Sequence, residues 1–302
     1  MNDLATILLP TYNGQKYIVQ MLESIYLQDY RPIEVIISDD ASTDKTVSVI
    51  NHWLKDKNTE DISFKVIKNI DNIGLSGNLS RTAKYVHGSY LFFADQDDIW
   101  RSNKVSAQIE YLENHKECVM CISDRAIMNK KNEIVCRSYF KHINAFPVKR
   151  DYTKVLNSGI LYAANCMCLR TEHLDKIFPV PNNICEQDTF ITIMAAHFGD
   201  IGYLTKALTL YRIHENNLSG RFAMEANRNL LKAGYIIYKN CKKRNWRESV
   251  DPVIIKRELE QRFDETNVKF SPALYSGVKK NIYWLTIKRM IGNRKNWKLF
   301  CQ

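Results

Sequence analysis

An α/β protein with a mostly parallel sheet and helices on its faces is what this sequence predicts, on three observations. Over the first ~125 residues, short apolar runs alternate with amphipathic stretches, the pattern of repeated βα units. The residues just after those runs are unusually acidic, and ligands of open α/β sheets bind beyond the carboxyl ends of the strands. With 302 residues, 45% of them hydrophobic, the chain has ample material for a buried core.

The elements follow in order. Strands are expected at 5–9, 34–38, 64–68, 90–94 and 119–123, with helical patterns between them at 17–28, 44–55, 78–86 and 103–114. Ser42 or Thr43 and Ser102 are candidate N-caps, because a side-chain oxygen there can accept from an orphaned helix amide. Residues 125–220 are less regular, broken at Asn157-Ser158-Gly159 and Pro179-Val180-Pro181, with one helix pattern at 189–198. This half is expected to shape the pocket of a second substrate. Beyond Gly220 come basic helices, broken by Pro252, Pro272 and Gly277, so the expected division is a catalytic domain at 1–220 and a helical extension at 221–302.

The net charge of +10 is unevenly placed. Residues 221–302 carry 19 Lys+Arg against 7 Asp+Glu, whereas 1–220 carry 24 against 26. A near-neutral body with a basic tail argues against a uniformly basic nucleic-acid-binding domain. A nicotinamide dehydrogenase is disfavoured too, since no G-x-G-x-x-G follows the first strand. The start Met1-Asn2-Asp3-Leu4 lacks a basic region followed by an apolar run, so a cytoplasmic protein is expected. No stretch reaches the ~18–20 apolar residues that span a bilayer, which leaves only peripheral membrane contact. Cys118 and Cys121 form a C-x-x-C without a second motif to complete a zinc site, so reduced, partly buried thiols are expected.

Four segments could carry chemistry. The first joins Pro10-Thr11-Tyr12-Asn13-Gly14 to Asp39-Asp40-Ala41-Ser42-Thr43-Asp44. Two neighbouring strand ends would offer amides, a hydroxyl and a carboxylate to one planar ligand, and Asp40 could accept from a pyrimidine N–H. Helix capping by the acids is the bland alternative. In the second, Asp95-Gln96-Asp97-Asp98-Ile99-Trp100, three carboxylates within four positions repel one another unless a cation or water compensates. The flanking Phe92, Phe93 and Trp100 favour Mg²⁺ or Mn²⁺, hard ions that bridge carboxylates to a diphosphate. In the third, Glu186-Gln187-Asp188, acids open a helix, where capping alone would explain them. The fourth, Tyr211-Arg212-Ile213-His214-Glu215-Asn216-Asn217, is dense in groups that hold phosphate or metal, although a lone His is more often structural.

Together, in this order and spacing, these segments resemble the family 2 glycosyltransferases, whose nucleotide-sugar domain has the Rossmann-like fold called GT-A. The resemblance covers roughly residues 4–220 and includes the N-x-G-x-x-x-N run at Asn72, Gly74 and Asn78. It implies an inverting transferase that moves a sugar from a nucleotide diphosphate to a hydroxyl of a bacterial surface polysaccharide or lipid-linked glycan. It places Pro10, Thr11, Tyr12, Asn13, Asp40, Asn72, Gly74, Asn78, Asp95 and Gln96 around the donor nucleotide. Asp95 and Asp97 would form the D-x-D pair that meets ribose and metal, with His214 reaching metal or diphosphate and Asp98 adjacent. Asp188 would be the catalytic base, although Gln187 stands where the family has another acid or His. Glu186, Arg212, Asn217 and Trp100 are secondary candidates. The D-Q-D-D-I-W wording is similar to that of rhamnosyltransferases and so implies dTDP-L-rhamnose, but UDP-hexose or UDP-HexNAc enzymes share every chemically necessary residue.

A silent scaffold that kept the fold is the rival to an enzyme. For the segment 279–291, two readings stand: a helix lying on anionic lipid at the inner face of the plasma membrane, or a packed helix whose Trp284 and Ile287 face the body.

Overall fold

The apolar runs become strands where both faces of the sheet are covered. The structure, a computed structural model, describes residues 2–57, 60–142, 163–181, 187–215 and 217. Nearly all of them belong to one unit, Met1–Asp151 with Leu161–His214; of the second, Tyr152–Ile160 with Glu215–Gln302, only Glu215 and Asn217 are described. Glu186 and the basic region 221–302, including 279–291, lie outside the described residues.

Strands β1 (Ala5–Thr11), β2 (Ile33–Asp39), β3 (Ile62–Lys68) and β4 (Tyr90–Phe93) pair in parallel in the order β3-β2-β1-β4. All of β1 except Pro10 is buried, as a central parallel strand requires. Helix α1 (Ile18–Tyr26) covers the sheet with Ile18, Met21, Leu22 and Ile25, whose three- and four-residue spacing forms one apolar stripe. Each such side chain contributes about 1.5–3 kcal/mol on burial. Val105, Ile109 and Leu112 of α4 (Lys104–Asn114) join the same core, with α2 (Thr46–Trp53) and α3 (Gly74–Ala83) completing the helices between the first strands.

The second half turns a parallel sheet into a mixed one. The two-residue β5 (Ile99–Trp100), β6 (Cys118–Asn129), β7 (Ile134–Cys136), β8 (Met167–Arg170) and β9 (Asp200–Ile213) extend it to β3-β2-β1-β4-β8-β6-β9-β5, with β7 on β6. β8 runs antiparallel to both β4 and β6, whereas β6 and β9 are parallel. The parallel expectation therefore holds for β1–β4 and for the β6–β9 pair.

Neither expected cap forms. The residues preceding α2 and α4 are Lys45 and Asn103, and neither makes a side-chain cap. Ser42 Oγ instead donates to Asp39 Oδ1 at 2.5 Å, and Asp44 Oδ1 accepts from the Thr46 N–H at 2.9 Å. The Ser42 hydroxyl thus turns to the strand end, and Asp44 takes the first amide of α2. Cys118 and Cys121 are buried free thiols of β6, and burial pushes Cys121 up to about 12, far from a reactive thiolate. Among the described residues no helix is long and apolar enough to cross a membrane.

Candidate active site

Register builds the first wall. Thr11 and Asp39 are paired at the ends of β1 and β2, so both polar turns emerge side by side. Asn13 and Ala41 adopt positive φ (49° and 61°), and for an alanine the left-handed region costs about 1–2 kcal/mol. Cross-links hold these turns: Asn13 Oδ1 accepts the Thr43 N–H at 2.9 Å, and Asp39 Oδ2 accepts that of Ser42 at 2.9 Å.

Asp40 is buried yet committed. Its carboxylate accepts from Asn69 Nδ2 at 2.7 Å and from the Ile73 and Gly74 amides at 3.0 and 2.9 Å. About one of four acceptor positions is left for a ligand. Asn78 is buried beneath it, donating to the Ser38 carbonyl at 2.9 Å and meeting Ser38 Oγ and Asn69 Nδ2 with its oxygen. Asn78 therefore braces β2 against α3. Asn72 and Gly74 are exposed on the loop that Asp40 anchors, and Pro10 is half-buried.

Gln96 has a similar bracing geometry. Its side chain clasps the main chain of Tyr12, accepting from the N–H at 3.0 Å and donating to the carbonyl at 2.9 Å, so its amide positions Tyr12. A Cβ on Gly14 would lie 2.1 Å from Gln96 Oε1. Gly14→Ala is therefore expected to break the clasp and cost about 1–3 kcal/mol, read as a lower urea midpoint with unchanged m value.

Beyond β4, the acidic loop separates into two roles. Asp98 is fully buried, accepting from the Arg212 N–H at 3.0 Å and from Asn165 Nδ2. It secures the loop rather than facing a ligand, and burial, then Asp95 and Asp97, hold its carboxyl well above the usual range. Asp95 and Asp97 remain half-buried. Asp95 accepts from the same Asn165 amide at 2.9 Å, and Asp97 Oδ2 lies 2.7 Å from His214 Nε2. Arg212, also fully buried, donates to the Asp97 carbonyl at 2.7 Å, to Gln20 Oε1 at 2.6 Å and to Asn132. It is a strut, and Trp100, with Phe92 and Lys104 around it, is a core residue. Asn217, buried, belongs to the second unit.

Asp188 stands in the first turn of α5 (Gln187–Ala195), two residues earlier than the expected helix start, and accepts the Ala164 N–H at 3.0 Å. Burial raises its carboxyl to about 6 against the opposing pull of that amide and of Arg125. Asp95 is pushed to about 8, first by burial and then by the charges of Asp97 and Asp188. Asp95 and Asp188 are thus held by the adjacent residues Asn165 and Ala164. Asn165, which aims Asp95, and Arg125, which offsets the charge, escaped the sequence reading; a lone Asn or Arg inside an apolar strand sequence was their only signal.

The donor set fits a hard divalent cation shared with a substrate. Asp95 and Asp97 offer carboxylates and His214 a nitrogen, in a place where carboxylate repulsion is incompletely offset. No group of three or more His, Cys, Asp or Glu among the described residues could hold an ion alone. Mg²⁺ commonly takes one or two carboxylates and completes its shell with substrate phosphates and water.

The model of glycosyl transferase family 2 matches residues 6–178. An Escherichia coli protein, UDP-Glc:alpha-D-GlcNAc-diphosphoundecaprenol beta-1,3-glucosyltransferase WfaP, is 36% identical over 114 residues, 38% of this chain and 43% of that protein. TarS of Staphylococcus aureus, a poly(ribitol-phosphate) beta-N-acetylglucosaminyltransferase, is 28% identical over 160 residues, 52% of this chain and 26% of its own length. The solved structure of TarS residues 1–349 with UDP has the same fold, at TM-score 0.58, 20% identity and coverage of 93% and 76% of the two chains. So does a Pyrobaculum calidifontis mannosyltransferase solved with GDP-Man and Mn²⁺, at TM-score 0.61, 15% identity and coverage of 96% and 85%. The chain spans 58% of the length of the mycobacterial relatives it also matches.

Proposed function

Since this chain belongs to glycosyl transferase family 2, we propose that it moves a sugar, with inversion, from a nucleotide diphosphate to a hydroxyl of a phosphate-bearing bacterial glycan or lipid-linked glycan. What supports the reading is that the adjacent residues Ala164 and Asn165 hold Asp188 and Asp95, with Asp97 on the same loop as Asp95. Residues 1–220 act as the catalytic domain and 221–302 as a basic extension suited to an anionic membrane face.

Thr11, Tyr12 and Asp40 bound the nucleoside site, with Tyr12 fixed by Gln96. Mn²⁺ or Mg²⁺, which Asp95, Asp97 and His214 would hold only together with the donor's phosphates, would neutralise charge on the departing diphosphate. Asp188 takes the acceptor hydroxyl's proton at its carboxylate, fixed by the Ala164 amide. That oxygen bonds to the anomeric carbon as the bond to the nucleotide's phosphate oxygen breaks, and one displacement needs no second carboxylate as nucleophile. The names of WfaP and TarS favour a UDP-hexose or UDP-HexNAc donor and an acceptor carrying phosphate, with dTDP-L-rhamnose as the second donor to try.

Thermal shift with UDP-glucose, UDP-GlcNAc and dTDP-L-rhamnose, each with Mn²⁺, tests the reading. One selective rise in Tm is expected, since a ligand at 100 times its Kd stabilises by about 2.7 kcal/mol; none of the three raising Tm would refute it. EDTA is expected to abolish most of the transfer rate, and Mn²⁺ to restore it. An EDTA-insensitive rate would reject the metal.

A further inference from the structure

The sheet lays the site out in sequence. Nucleoside contacts sit at the ends of β1 and β2, the acidic pair follows β4, and then come β8, β6 and β9. Asp188 is tied to this far side through Ala164, immediately before β8. On β6, also on the far side, stands Arg125, half-buried, with its guanidinium carbon 4.3 Å from the ring centre of Tyr139 and 4.7 Å from that of Tyr211. Tyr211 comes from β9, the strand paired with β6, and Tyr139 from the one-turn helix Tyr139–His142. That helix is tied down by Asp124, which accepts from Ser138 Oγ at 2.5 Å and from the Phe140 N–H at 3.0 Å.

Both rings lie within cation–π distance of the guanidinium. Among the described residues its N–H groups make no hydrogen bond or ion pair. Asp95, Asp98 and Asp188 are near enough to feel the charge, yet none pairs with it. A half-buried cation held against two aromatic rings, with N–H donors to spend, matches the fork geometry of a phosphate or carboxylate oxygen pair. Arg125 feels Asp188, the base proposed to activate the acceptor, as well as Asp95 and Asp98 of the acidic loop, so an anion on its fork would lie beside the reacting hydroxyl.

We infer that Arg125, clamped by Tyr139 and Tyr211, is the acceptor-binding residue that takes the acceptor's phosphate ester. This rests on the transferase reading above and adds the chemistry by which the acceptor is selected. Lysine in its place would keep the charge but lose the fork and much of the stacking.

The test uses the full chain saturated with UDP and Mg²⁺, so that the donor side is filled, and titrates glycerol phosphate by calorimetry with glycerol as the uncharged control. Saturable binding of glycerol phosphate and none of glycerol is expected for the native protein. Arg125→Gln is expected to weaken glycerol phosphate at least tenfold, with Arg125→Lys between the two and melting temperatures reporting that each variant is folded. If Arg125→Gln unfolds, Arg125→Lys and Tyr139→Leu carry the test, each expected to weaken binding at least threefold. Unchanged affinity in the folded variants would overturn the assignment. So would mutual exclusion of glycerol phosphate and UDP, which would move the anion to the donor side. Failure of UDP itself to bind the native protein would remove the transferase reading and this assignment with it, whereas UDP binding without glycerol phosphate binding removes this assignment alone.

Discussion

Asp188→Asn is expected to lower the transfer rate by ~10²–10⁴-fold, the range a positioned general base supplies, while leaving the fold and UDP binding intact. Asparagine retains a carbonyl oxygen for the Ala164 N–H, so helix α5 keeps its anchor. What is lost is an atom that can hold a proton at neutral pH. The native pH profile gives a second check. Burial raises the Asp188 carboxyl to about 6 and only its ionised form accepts a proton, so the rate should fall tenfold per pH unit below about 6 and level off above about 7. Stability carries the opposite sign. A carboxyl whose folded pKa exceeds its unfolded one binds a proton more tightly in the native state. The contribution of Asp188 to stability is therefore fullest below about 4 and lost as pH rises through about 6, with Asp95 extending the decline to about 8. Near-normal transfer by Asp188→Asn would remove it as the base.

Arg212→Leu is expected to cost about 3–5 kcal/mol, the penalty for breaking a buried charged network, and to lower Tm by roughly 10 °C. Arg212 is fully buried, and leucine fills part of its volume but donates nothing to the Asp97 carbonyl, Gln20 Oε1 or Asn132. Those acceptors would be stranded, and the Asp95–Asp98 loop would lose its strut. Urea denaturation reads the loss directly, and a variant within 1 kcal/mol of native would show that the network is dispensable.

How far the sequence could be read depended on which physical signal each segment carried. Strands β1, β2 and β4 are largely apolar, buried runs at βα spacing, whereas the edge strand β3 alternates apolar with polar residues. β5 is two residues long and shows no period, and β8 is fixed by pairing with β4 and β6, which residues 167–170 do not advertise. The acidic loop was conspicuous as charge, but its three carboxylates look alike in a sequence. Only burial separates Asp98, locked to Asn165 and the Arg212 amide, from the half-buried Asp95 and Asp97. Asn78 and Gln96 carry a related ambiguity. An amide in a motif can bind a ligand or a neighbouring main chain, and here both are committed to Ser38 and Tyr12. Arg125 was readable in principle, since Asp124-Arg125 interrupts an otherwise apolar strand and charge in such a place needs a reason.

The bond between the Arg212 amide and Asp98 joins positions 114 residues apart, and the short β5 beside it pairs only with the last described strand. At a ribosome adding about 5–20 residues per second, the acidic loop waits roughly 6–23 s for its partner to be synthesised. During that interval the nascent β1–β4 half has its own parallel pairings but no fixed geometry at Asp95 and Asp97. Catalytic competence is thus acquired late in biogenesis, and refolding followed by enzyme activity should lag behind refolding followed by burial of Trp53, which packs on the early core.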